Sequence, residues 1–293
     1  MRMIPAISVI AVLLAAGSVA RAADEASARS GWYLGAGLGA GRTSDLNQEG
    51  WNRDRFCTPD AACFDEAPIP TVPGYRWRYD IELDSGAAFE LSVGRFFGRT
   101  RLELAIGQQT NDTRQVFTGI SYLNGAAIRP RAGGPVASNA SGAIDHRRVR
   151  SVTLDAFYDF PNAWGAVTPY LGAGLGQASV EMAGVRFSTD YRNVSAAARL
   201  YEPPLSFYNS VQEEDLNDTA FVWRLHAGAN YALGRGTSLG LRLTWSAAGD
   251  SEDTGAYETH PMHGVDPAFT NTNKFSGGRN WTLMLSFRRG VAD

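Results

Sequence analysis

Lysine is almost missing from this chain: Lys274 is the only one, and every other basic side chain is arginine. Cysteine is nearly absent too, with only Cys57 and Cys63, and there are four histidines, scattered along the sequence. That supply does not make a plausible zinc site. Beyond the first 22 residues no apolar run approaches the ~20 residues that a membrane-spanning helix needs. Without Arg2 and Arg21 the chain has 25 basic against 30 acidic side chains, so it has no basic footprint for nucleic acid.

The N-terminus carries the one apolar run. Arg2 supplies a positive start, Ile4–Ala16 is apolar apart from Pro5 and Ser8, and Ala20–Ala22 offers a small-x-small cleavage site. Residues 1–22 therefore read as a secretory signal peptide, leaving 23–293 as a single exported domain. In an exported chain Cys57 and Cys63 are expected to form a local disulfide; two free thiols are the alternative.

One heptapeptide occurs twice, at Tyr33–Gly39 and Tyr170–Gly176. Its period is two. Leu34, Ala36 and Leu38 fall on one face, while Tyr33, Gly35, Gly37 and Gly39 fall on the other. The second face is nearly bare, which leaves space for long side chains from other strands of a closed barrel. The same period continues in eight stretches, at about 31–43, 80–97, 100–118, 146–160, 168–182, 219–233, 236–249 and 276–289. Short connections near Gly98, Pro161–Val167 and Gly234 alternate with long polar ones, about 44–79, 119–145, 183–218 and 250–275. That alternation predicts an all-β fold: an eight-stranded antiparallel up-and-down transmembrane β-barrel with short periplasmic turns and four long extracellular loops.

The apolar face then points to lipid and the charged face inward. Phe221, Trp223 and Leu225 oppose Arg224 and His226; Leu241 and Leu243 oppose Arg242; Leu102 and Leu104 oppose Glu103. Aromatics recur near strand ends, among them Trp32, Phe97, Tyr158, Trp245, Trp281 and Phe287, as an interfacial girdle requires. In hydrocarbon the sheet must close, and eight strands leave an interior that side chains fill. Glu90, Glu103, Asp155 and Asp159 are expected to pair there with Arg224 and Arg242, with His226 in the same polar network.

These residues resemble a known family. The stretches Gly31–Gly39, Arg101–Ala105, Ala156–Phe160 and Thr168–Gly176, with Phe287 ending the last strand, resemble eight-stranded outer-membrane barrels of the opacity and surface-antigen type, similar in architecture to the barrel of outer membrane protein A. The resemblance spans about 31–289. It implies a bacterial outer-membrane location and a non-enzymatic role in the envelope and in surface interaction or adhesion. It also implies assembly by the barrel-assembly machinery.

Other motifs carry less. Gly35, Gly37 and Ala40 match a dinucleotide fingerprint, but no helix follows them to receive a pyrophosphate. His226 lacks a nucleophile implied by spacing. His260 and His263 flank a proline, and the acidic groups at Glu213–Asp215 and Asp250–Asp253 lack the spacing of a calcium loop. No cofactor or metal is expected. Arg147, Arg148 and Arg150 suit lipopolysaccharide phosphates at the outer rim, and the loop aromatics, Tyr75, Trp77 and Tyr208 among them, suit a host or cell-surface ligand. A narrow porin-like channel, an outer-membrane hydrolase needing a Ser or Asp beside His226, and a soluble lipocalin-like barrel are the alternatives.

Overall fold

The computed structural model describes residues 30–53, 56–131, 136–160, 165–193, 205–234, 236–256 and 270–291. The expected signal peptide and the His260–His263 pair lie outside these residues. The chain forms β1 (Ser30–Thr43), β2 (Leu46–Asn52), β3 (Tyr75–Leu83), β4 (Gly86–Phe97), β5 (Thr100–Tyr122), β6 (Val136–Ala143), β7 (His146–Asp159), β8 (Val167–Asn193), β9 (Ser210–Gly234), β10 (Thr237–Ala248), β11 (Ser251–Ala256), β12 (Thr270–Ser276) and β13 (Arg279–Gly290).

Eight of these close a ring. The order is β1-β4-β5-β7-β8-β9-β10-β13, and β13 returns to β1 through Leu38↔Leu285 and neighbouring pairs. Every pairing is antiparallel, so no edge is left at the level of this ring. The outer face of the ring is apolar and exposed: Leu34 and Leu38 on β1, Leu91 on β4, Leu104 and Ile106 on β5, Leu154 on β7, Leu175 on β8, Leu225 on β9, Leu241 on β10, Leu283 and Leu285 on β13. In water such a belt would be an aggregation site; in lipid it is the solvated face. Trp32, Phe97, Tyr158, Phe160 and Phe287 border one side of the belt, and Phe89, Phe221, Trp223 and Trp281 the other.

The sheet runs much further than the expected segments. β5, β8 and β9 have 23, 27 and 25 residues, against ~9–11 for a membrane crossing. Strand therefore runs into all four of the spans expected as loops, through β2 and β3 in 44–79, the end of β5 and β6 in 119–145, the ends of β8 and β9 in 183–218, and β11 and β12 in 250–275. β2 continues β1, β3 leads into β4, β6 leads into β7, β11 continues β10 and β12 leads into β13, each across a two-residue break. Gly277 and Gly278, both at positive φ, form one of these breaks.

The pattern changes sense at those breaks. β3 reads Tyr75, Trp77, Ile81 and Leu83 buried, with Arg78 and Asp80 exposed between them. Below the break, β4 buries Ala88 and Glu90 and exposes Phe89 and Leu91. Most expected strand ends followed the apolar-outward alternation and stopped near where it stopped, while the expected stretch 80–97 crossed the break and took in the inward Ile81 and Leu83. Beyond the belt water meets the outer face, and the hydrophobic effect drives apolar side chains into the lumen. Leu46, Ile81, Leu83, Ile144, Val180, Met182, Leu216 and Phe275 form a core there. The expected polar filling of the whole lumen therefore holds only at the level of the belt.

Leu283→Arg places a charge mid-belt. The expected result is a loss of about 2–4 kcal/mol in reversible unfolding from lipid bilayers, whereas Asp80→Arg, on the extension, changes stability by less than about 0.5 kcal/mol.

Candidate functional site

The belt-level lumen holds four arginines and four carboxylates, all nearly inaccessible: Arg101, Arg224, Arg242 and Arg288 with Glu90, Glu103, Asp155 and Asp159. Glu90 lies at the centre. Arg224 Nη1 donates to Glu90 Oε2 at 2.7 Å, and Arg242 Nη2 donates to Glu90 Oε1. Arg224 continues to Asp155 through Nε at 3.1 Å and also through Nη2. Arg242 Nη1 reaches Glu103 Oε1 at 3.3 Å, and the Tyr33 hydroxyl donates to Glu103 Oε2 at 2.8 Å. The chain Asp155–Arg224–Glu90–Arg242–Glu103–Tyr33 thus crosses β7, β9, β4, β10, β5 and β1.

The expectation that Asp159 pairs with Arg224 or Arg242 is corrected. Asp159 pairs with Arg101, which is wholly buried between the rings of Phe157 (4.2 Å) and Tyr170 (4.4 Å). Arg288 lies over Tyr33 and Tyr170 at 5.9 and 5.3 Å. Sequence reading missed Arg101 and Arg288 because each lies at a strand end, where the alternation has too few residues to assign a face. The clearance that the glycines give serves other groups than the guanidiniums: a Cβ at Gly174 would collide with the Asp155 carboxylate and one at Gly172 with the Phe157 ring, whereas one at Gly37 would meet Arg242 Nη2 at an ordinary contact distance of 3.8 Å.

His226 lies between Asp155 and Thr244. Nε2 is 3.1 Å from Asp155 Oδ1, and Nδ1 is 2.9 Å from Thr244 Oγ1. A carboxylate only accepts, so Nε2 carries a proton and donates it to Asp155. The order hydroxyl, imidazole, carboxylate has the connectivity of a hydrolytic triad, and Asp155 is an acid that spacing did not place beside His226. Asp155 is also held by Arg224, and the cavity that Thr244 borders has about 90 Å³, against ~300–1,000 Å³ for small-molecule sites.

The rim arginines divide. Arg147 turns inward and forms no ion pair among the described residues. Arg148 Nη1 donates to Glu181 at 2.9 Å, and Arg150 stays exposed. The acidic groups at Glu213–Asp215 and Glu252–Asp253 fall in strands β9 and β11 rather than loops, and no acidic cluster with metal-ligand geometry occurs among the described residues.

Above the apolar core lies a second cavity, of about 630 Å³. Trp77 and Phe187 stack across the lumen at 6.0 Å and form its floor. Its roof is the Cys57–Cys63 disulfide segment with Phe64, Leu205 and Tyr208. That segment is tied down: Tyr75 Oη donates to Phe56 O at 2.8 Å, Ala62 N to Arg129 O at 2.8 Å, and Arg131 pairs with Asp65. Burial raises the Tyr79, Tyr191 and Tyr208 hydroxyls above the ordinary phenol value, so all three stay protonated donors at neutral pH.

A closed ring with an apolar outer belt and a neutralised charged lumen defines an outer-membrane β-barrel of a bacterium. The chain belongs to the family of outer membrane protein beta-barrel domains, which it matches over residues 9–288. Among solved structures it is similar to Neisserial surface protein A, with 13% identity, 89% of this chain and 98% of that one covered, and a TM-score of 0.40. It is similar to OprG from Pseudomonas aeruginosa, with 10% identity, coverage of 90% and 98%, and a TM-score of 0.42. Ail of Yersinia pestis, solved with the heparin analogue sucrose octasulfate, matches at 8% identity, coverage of 88% and 99%, and a TM-score of 0.30. No curated protein sequence matches the chain.

Glu90→Gln removes the charge that two buried guanidiniums share. The expected cost is about 3–5 kcal/mol, read as a lower urea midpoint of the refolded barrel, and Arg242→Met falls in the same range. An unchanged midpoint for both would show that these charges do not hold the lumen.

Proposed function

We propose that this chain is a non-enzymatic outer-membrane barrel that strengthens the envelope and presents its strand-extended end to the outside for surface interaction. Residues 1–22 serve as its signal peptide, residues 23–293 form the barrel, and the short turns after β4, β7 and β9 face the periplasm. The observation that carries this reading is the change of pattern at the edge of the belt. One end of the molecule stops within a few residues of the belt, while the other continues as a water-facing sheet with a charged outer surface. Short turns suit the side from which a barrel is delivered, and a long, cross-tied end suits the side that meets other surfaces.

A structural role fits the lumen, where Glu90, Glu103, Asp155 and Asp159 are all held by arginines and the cavity beside Glu90 and Arg224 has about 90 Å³. Arg42, Arg150 and Arg279 are exposed just beyond the belt on the extended side. They suit charge-assisted hydrogen bonds to the phosphates of outer-leaflet lipopolysaccharide. The barrel-assembly machinery is the partner for insertion, and the extended end is the place for a host or cell-surface ligand.

Single cysteines test the orientation. Asp80→Cys on the extension is expected to react with a membrane-impermeant maleimide in intact cells, and Arg99→Cys in a short turn only after the outer membrane is opened. The opposite labelling order would reverse the proposed orientation.

A further inference from the structure

The extended half of the barrel is not closed all round. Above the belt β2 pairs with β12 and β3, β3 with β5, and β6 with β8. Between β9 and β11 two side chains close the wall: Asp253 accepts from Asn217 N at 2.6 Å and Asp218 accepts from Glu252 N at 2.8 Å. Between the upper part of β5, from Thr113 to Tyr122, and β6, no backbone ladder forms among the described residues. At the base Thr113 Oγ1 donates to Ile144 O, in the break between β6 and β7. The result is a lateral seam. Phe117 and Ile120 stand exposed on its β5 side, Ala140 and Ser141 line its β6 side, and all four border the 630 Å³ cavity.

The lining has a distinct chemistry. Tyr75, Trp77, Tyr79, Phe187, Tyr191 and Tyr208 supply rings, and Asp60 is the one charged side chain among the described lining residues. Two buried amide oxygens at the cavity have no partner: Gln115 Oε1 and Asn271 Oδ1, the latter on a residue 2% exposed. Their amide nitrogens are engaged. Asn271 Nδ2 donates to Gln212 Oε1 at 2.7 Å, and Gln115 Nε2 donates to Gln48 Oε1, while Gln48 Nε2 donates to Asn273 Oδ1. Gln212 Nε2 donates in turn to the Glu214 carboxylate, which fixes the Asn271 amide, and the two amide oxygens are left as acceptors at the space. An acceptor buried against hydrocarbon loses its hydrogen bond without compensation.

We infer that this cavity binds a neutral saccharide of one or two rings, entering through the β5–β6 seam. Aromatic rings accept the C–H faces of a pyranose, the two orphan acceptors take its hydroxyl protons, and the protonated Tyr79 hydroxyl is available as a donor. The volume is within the range of small-molecule sites. A sulfated or phosphorylated sugar does not fit, because no arginine or lysine is among the described lining residues; a plain hydrocarbon does not fit, because it leaves Gln115 Oε1 and Asn271 Oδ1 unsatisfied. This deepens the surface-interaction reading and rests on the outward orientation only for the source of the sugar. Binding itself is measured in detergent, where orientation plays no part.

The test is saturation-transfer NMR and calorimetry on the full-length refolded barrel with methyl glucoside, methyl galactoside, N-acetylglucosamine and maltose. At least one is expected to bind, and Trp77→Leu, Gln115→Met and Asn271→Leu are each expected to weaken it tenfold or more, while Arg78→Ser on the outer wall leaves it within twofold. Each variant is checked for the gel-mobility shift of the folded barrel; if none of the three folds, Phe117→Arg at the exposed rim replaces them and is expected to block entry. Failure of the folded wild type to bind any of the four sugars overturns the inference. So does binding that survives the cavity variants, or a naphthalene probe that the cavity takes in place of sugar.

Discussion

Glu90 accepts from two arginines on two different strands, and the belt-level lumen is organised around that sharing. In lipid the outer face gives no drive toward compaction, because hydrocarbon solvates Leu283 as well as a protein core would. Closure satisfies the backbone, and the ion network fills the interior it creates. A buried ion pair gains over apolar filling only when its remaining hydrogen-bonding positions are met. Here Tyr33, Thr153 and His226 complete the carboxylates, with Thr244 holding the far side of the His226 ring, and the bare glycine face of β8 leaves room for the Asp155 carboxylate and the Phe157 ring.

The outer half obeys the opposite rule with the same strands. Once the outer face meets water, Tyr75–Leu83 alternates as a soluble sheet does, with charge out and apolar in. The two interiors, ionic below and apolar above, separate an inert plug from an aromatic cavity.

Much of the belt was legible in the sequence. The ring of eight, the lipid face and the facing of Glu90, Glu103, Asp155, Arg224, His226 and Arg242 follow from period two, because each of these residues is flanked by apolar neighbours on both sides. Arg101 and Arg288 were not legible: they lie at strand ends, and their partners, Asp159 and the Tyr33 and Tyr170 rings, come from strands distant in sequence. The extensions were missed for a different reason. Trp77 and Tyr79 alternate with charges as the belt strands do, but with inside and outside exchanged, so a face chosen as apolar-outward does not continue through them, and the expected 80–97 segment crossed the exchange without registering it. The cavity could not be read at all, since it depends on a seam between β5 and β6 that pairing alone reveals.

The most direct test of the ionic lumen is a double-mutant cycle on Glu90 and Arg242, measured by reversible unfolding in lipid with Glu90→Met, Arg242→Met and the pair together. The network predicts strong coupling: the double variant recovers about 2 kcal/mol or more relative to the sum of the singles, because it leaves fewer uncompensated charges than they do. Additive losses, with no recovery in the double variant, would contradict the claim that these two side chains hold the barrel's interior as one unit.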